Sequence, residues 1–108
     1  MDDYYDQERN TRDVYDIEEI KRRLTPVFQR YGVRKAVLFG SYAKGEARPV
    51  SDVDILVDSG LRGLVFYGLL GEVCDTLDKD VDLIDVREVI YNSRIDKEIH
   101  NTGVHLYG

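Results

Sequence analysis

The stretch "LFGSYAKGEARPVSDVDILVD", Leu38 to Asp58, joins two apolar runs through a turn bearing Gly40 and Ser41 and sets Asp52 and Asp54 two residues apart. The first run reaches back through "VRKAVLF", Val33 to Phe39, which is β-branched and aromatic and has glycine on both sides, so it predicts a buried strand. The second, "DVDILVD" from Asp52 to Asp58, alternates polar and apolar residues at period two and predicts another strand. Between them "GSYAKGEARPVS" is rich in turn formers. It predicts a loop or stub helix, with Ser41 capping a short helical turn before Gly45.

Outward from this pair, helices and strands alternate. Val14, Ile17, Ile20, Leu24, Val27, Phe28 and Tyr31 recur at helical spacing, with Asp13 or Asp16 as N-cap and Gly32 as the stop. Pro26 lies inside that helix and has no N–H for the carbonyl of residue 22, which predicts a kink or a break near Leu24. Leu61 to Leu77 predicts a second helix; Gly63, Gly68 and Gly71 weaken it, and close approach to a sheet would explain them. "DVDLIDV", Asp80 to Val86, predicts a third strand. A third helix follows over Val89 to Asn101, capped by Asn92 or Ser93 and stopped at Gly103, and "VHLY" adds an edge strand. The order α-β-β-α-β-α-β defines an α/β (α+β) domain, a small mixed sheet with helices packed on it. Residues 13–108 form this single domain, and 1–12, polar and without period, form a flexible leader.

Composition narrows the function. A chain of 108 residues can bury about two-thirds of the surface its unfolded form exposes, enough for one core. Its 43% hydrophobic and 33% charged residues are the balance of a folded globular protein. No window approaches the roughly 20 apolar residues of a membrane span, and the N-terminus is acidic where a signal peptide would be basic, so the cytoplasm is the expected location. The net charge of −6 argues against direct polynucleotide binding. Cys74, the lone cysteine, reads as a small core residue without metal chemistry.

The paired aspartates point to chemistry. On a strand, residues i and i+2 share a face about 6.6 Å apart, so Asp52 and Asp54 project together while Val53 and Ile55 face the other way. Like charges so close are relieved by raised pKa values, solvent exposure or a bound divalent cation. Magnesium fits, as a hard ion held by a few carboxylates together with substrate phosphates. Asp82, between Val81 and Leu83 on the next strand, is the candidate third carboxylate, with Asp80 or Asp85 as alternatives. Two metals about 3.5–4 Å apart can clamp the attacking and leaving oxygens of an in-line phosphoryl displacement. Gly40 and Ser41 supply a phosphate grip where the strand gives way to a helical turn: the glycine lets backbone approach, and the serine offers a hydroxyl. Together these parts predict a nucleoside-triphosphate site built for nucleotidyl transfer.

Gly40-Ser41, ten residues, then Asp52-Val53-Asp54 reproduce the Gly-Ser-x10-Asp-x-Asp signature of the DNA polymerase beta-like nucleotidyltransferase superfamily, with "VDLID" downstream. The stretch resembles its minimal nucleotidyltransferase branch. That resemblance implies the superfamily's fold and the transfer of AMP from ATP, with two Mg2+ ions and release of pyrophosphate. It implies that Gly40 and Ser41 hold the triphosphate and that Asp52 and Asp54 ligate both metals. Asp82 would ligate the catalytic metal and help activate the acceptor hydroxyl. Many minimal members are antitoxins that silence a helical HEPN-domain ribonuclease by attaching AMP to a tyrosine, so the resemblance implies such a toxin as partner and acceptor. Its alternatives are a non-catalytic antitoxin that occludes the toxin, or the catalytic subunit of a small-molecule, aminoglycoside-type transferase. Lys44, Arg48, His100 and His105 read as surface residues.

Overall fold

A computed structural model describes residues 10–108. The elements, in chain order, are α1 (Ile17–Arg30), β1 (Lys35–Phe39), α2 (Ser41–Lys44), β2 (Val53–Asp58), α3 (Gly63–Leu77), β3 (Val81–Asp85), a 3-10 turn (Val86–Glu88), α4 (Arg94–Thr102) and β4 (Val104–Tyr107). The strands make one mixed sheet in the order β3-β2-β1-β4, antiparallel except for the β2–β3 pair, which is parallel. This is the expected α/β architecture, with the "VHLY" strand at the sheet edge.

Strand alternation divides the sheet into two faces. Ala36 and Leu38, Val53, Ile55 and Val57, Leu83 and Leu106 form one buried face. They share a core with Ile20, Leu24, Val27 and Phe28 of α1 and Leu69, Val73 and Leu77 of α3. Asp54, Leu56, Asp58 and Asp82 have the opposite parity and belong to the second face. There α4 lies against β1, with Ile99 lining the same cavity as Val37 and Leu56. The candidate carboxylates Asp54 and Asp82 therefore stand on the face away from the main core.

α1 starts where Asp16 accepts a hydrogen bond from the Glu19 N–H at 2.8 Å, so the second of the two expected caps is used. The helix runs through Pro26 unbroken, against the expected break near Leu24. Leu24, Val27 and Phe28, buried on either side of the proline, bind both halves to one core and outweigh one missing backbone bond. The glycines of α3 are not explained by approach to the sheet. A Cβ on Gly68 would press on the Tyr31 hydroxyl at 3.3 Å, a Cβ on Gly71 would meet nothing within 4 Å, and Gly63 opens the helix at φ 60. The last helix begins at Arg94, five residues later than expected, because Asp85 caps a 3-10 turn over Val86–Glu88 and Ser93, accepting from the Asp96 N–H at 3.1 Å, caps α4.

Of the leader expected over 1–12, residues 1–9 lie outside the described residues. Asn10 donates its N–H to the Asp78 carbonyl at 2.9 Å, and its side chain accepts from the N–H groups of Arg12 and Asp13. Lys79, only 2% exposed, donates from Nζ to the carbonyls of Asp13 and Pro49. It joins the segment before α1 to the loop that leads into Asp52. Cys74 is half-buried rather than fully inside. Among the described residues no helix is long and apolar enough to cross a membrane.

Candidate nucleotidyl-transfer site

Asp54 is the second residue of β2 and stands opposite Phe39 of antiparallel β1 on one side and Asp82 of parallel β3 on the other. One residue past Phe39 the chain turns sharply at Gly40, whose φ of 75 and ψ of −151 favour glycine. An ideal Cβ on Gly40 would lie 2.4 Å from Asp54 Oδ2, so any side chain there would displace the carboxylate. Register and turn thus bring Gly40, Asp54 and Asp82 together. Asp52, expected as the first residue of this strand, lies instead in the exposed irregular segment just before β2, where its negative charge still acts on Asp54.

Electrostatics concentrate on Asp54. Burial pushes its carboxyl up to about 6, and the negative charges of Asp82, Glu98 and Asp52 act in the same direction. Asp52 and Asp82 are exposed. Among the described residues no three histidine, cysteine, aspartate or glutamate side chains stand close enough to form a ready metal cage. Mutual repulsion accounts for carboxylates that share a neighbourhood without converging. The donor set nonetheless fits a hard divalent cation: oxygen ligands on adjacent strands, one of them half-buried, and a surplus of negative charge that a cation would offset.

The alternatives for the third carboxylate separate clearly. Asp85 points into the core face at the other end of β3, where it accepts from the Ser59 hydroxyl at 2.7 Å and from Arg87. Burial raises the Asp85 carboxyl, but the Ser59 hydroxyl and the Arg87 N–H and guanidinium outweigh it and hold the group below its ordinary value. Asp80 precedes β3, and its carbonyl accepts the Val53 N–H at 3.0 Å. Asp82 is the one in register with Asp54.

Ser41 is the first residue of α2 and not its cap: Gly40 holds the N-cap position, its carbonyl accepts the Lys44 N–H at 3.1 Å, and no side chain caps the helix. The Ser41 hydroxyl is therefore not spent on α2, and the first-turn N–H groups have no carbonyl within the helix. The Gly40 N–H donates to Thr102 Oγ1 at 2.9 Å. Thr102 and Glu98 were not predicted. Their i, i+4 spacing on α4 puts them on one helix face, but only the pairing of β4 with β1 carries that face to Gly40.

Residues 22–108 match the family model described as Polymerase beta, Nucleotidyltransferase, and the chain belongs to that family. It is a nucleotidyltransferase of the polymerase beta type, as the spacing of Gly40, Ser41, Asp52 and Asp54 implied. Within the family it is 39% identical over 75 residues to a Methanocaldococcus jannaschii protein named "Putative protein adenylyltransferase MJ0435", spanning 68% of this chain and 81% of the relative. A chain of a solved toxin-antitoxin complex with AMP-PNP superposes with a TM-score of 0.70 at 26% identity, covering 82% of this chain and 73% of that one. A chain of the complex between tri-AMPylated Shewanella oneidensis HEPN toxin and MNT antitoxin superposes with a TM-score of 0.65 over 85% of this chain and 72% of that one; at 23% identity the likeness is one of fold.

Proposed function

We propose that the chain transfers AMP from ATP to a tyrosine hydroxyl of a HEPN-domain ribonuclease and so acts as its antitoxin. The observation that carries this reading is Asp54, wedged between Gly40 and Asp82 with a carboxyl pushed up to about 6 by burial and three neighbouring acids. Such a residue is poised for a cation and a phosphate chain. The relatives support a protein acceptor, since one carries the name "Putative protein adenylyltransferase MJ0435" and one solved neighbour is a toxin-antitoxin structure with AMP-PNP.

Asp52, Asp54 and Asp82 would hold two Mg2+ ions, which when bound neutralise the triphosphate and favour the acceptor's alkoxide. The Ser41 hydroxyl and the N–H groups that open α2 donate to the phosphate oxygens on the leaving side. The acceptor oxygen attacks the α-phosphorus, the bond between α-phosphorus and bridging oxygen breaks, pyrophosphate departs, and Asp82 takes up the hydroxyl proton. Exposed Asp52, Asp80 and Asp82 give the site an acidic rim that suits a basic ribonuclease surface, by complementarity that speeds encounter. The domain works in the cytoplasm and makes no direct contact with polynucleotide.

Where a helical ribonuclease is encoded beside this chain, the test is intact-mass and peptide-fragment mass spectrometry of that protein after incubation with the chain, ATP and Mg2+. The expected result is an added AMP mass on a tyrosine, absent with an Asp54→Asn variant. A partner silenced without added mass, or modified equally by Asp54→Asn, overturns the proposal; the first outcome is inhibition by occlusion.

A further inference from the structure

Gly40 is held from outside the signature. Its N–H donates to Thr102 Oγ1 at 2.9 Å, and the single proton of that hydroxyl goes to the Glu98 carbonyl at 2.8 Å, which leaves an Oγ1 lone pair directed at Gly40. The same Gly40 forms the wall against Asp54, with room for no Cβ. The helix end carrying Thr102 is itself fixed. Gly103 donates its N–H to the Ile99 carbonyl at 2.8 Å, and a Cβ on Gly103 would lie 2.5 Å from that carbonyl oxygen and 3.1 Å from Val37 Cγ1. β4 then pairs directly with β1 through Val104 and Leu38.

We propose that Thr102 is a positioning residue of the nucleotidyl-transfer site: its hydroxyl fixes Gly40 against the Asp54 carboxylate and thereby sets the affinity for magnesium-ATP. The inference rests on the reading above of what Asp54 and Gly40 bind. Thr102 touches neither nucleotide nor metal; it acts through Gly40. Thr102→Val keeps shape and β-branching but removes the hydroxyl, and with it the acceptor for the Gly40 N–H and the donor to the Glu98 carbonyl, whereas Thr102→Ser keeps both.

Two measurements test this on the full chain. In calorimetry, Thr102→Val is expected to bind magnesium-ATP roughly three- to tenfold more weakly than the parent, the effect of losing the hydrogen bond to Gly40, and Thr102→Ser to stay within about twofold. In turnover the defect falls on KM more than on kcat. Hydrogen exchange of the Gly40 amide, protected in the parent and in Thr102→Ser, is expected to quicken about tenfold or more in Thr102→Val. Unchanged affinity in Thr102→Val, or a serine variant as weak as the valine one, overturns the proposal. So does an unprotected Gly40 amide in the parent, a result that needs no variant to fold. If the parent itself binds no magnesium-ATP, the functional reading fails, while the exchange of the Gly40 amide still decides whether Thr102 positions the turn.

Discussion

Folding leaves the carboxyl of Asp54 holding its proton more tightly than the unfolded chain would, at about 6 against an ordinary 3.8. Because the folded value is the higher one, stability linked to this group is complete below about pH 4 and is lost as the pH climbs through 6. Asp54→Asn mimics the protonated form. Without divalent cations, the variant is therefore expected to be more stable than the parent at pH 7.5, by about 1 kcal/mol after discounting for solvent screening at a half-exposed site, with most of that difference gone at pH 4. Thermal melts in chelator at both pH values check this; no difference at pH 7.5 would show that Asp54 feels neither its burial nor its acidic neighbours. That Asp54 and Asp82 stand on the face away from the core was legible, because strand alternation is a local rule that assigns faces residue by residue. Glu98 and Thr102 were not, because Glu98 matters through its charge near Asp54 and Thr102 through a contact with Gly40 across 62 positions of sequence.

Helices and strands announced themselves where one buried face repeats, and misled where a single residue was weighed alone. Pro26 suggested a break, yet its neighbours are anchored on both sides by buried side chains. The expected start of α4 at Val89 took in Ile90 and Tyr91, which are in fact exposed, at 74% and 91%, in the turn before the Ser93 cap. In α3 the glycines have unequal standing. Gly71 lies mid-helix with open space where a Cβ would go, so Gly71→Ala is expected to stabilise the domain by roughly 0.5–1 kcal/mol, the helix-propensity difference. Urea unfolding measures it. A loss of stability would mean that this face of α3 has no room for a methyl group.

At the scale of the molecule, three far-apart segments converge through one buried cation. Lys79 Nζ holds the carbonyl of Asp13, ahead of α1, and that of Pro49 at 3.0 Å, ahead of Asp52, and sits 5.9 Å from the Tyr15 ring centroid. Lys79→Met keeps most of the apolar stem but strands two carbonyl oxygens. It is expected to cost about 1–3 kcal/mol in chemical denaturation. A variant as stable as the parent would show that removing the buried charge offsets the lost bonds. The sheet order was beyond the reach of local reading for the same reason as this lysine: it is decided by which segments meet, and no short window records that. The parallel pairing of β2 with β3 has one more consequence. Sliding either strand by a single residue would turn its aspartate inward among Leu69, Val73 and Leu77 and its Ile55 or Leu83 out to water. The acids proposed to serve the chemistry thus also guard assembly, since a misaligned sheet would have to bury an unpaired charge.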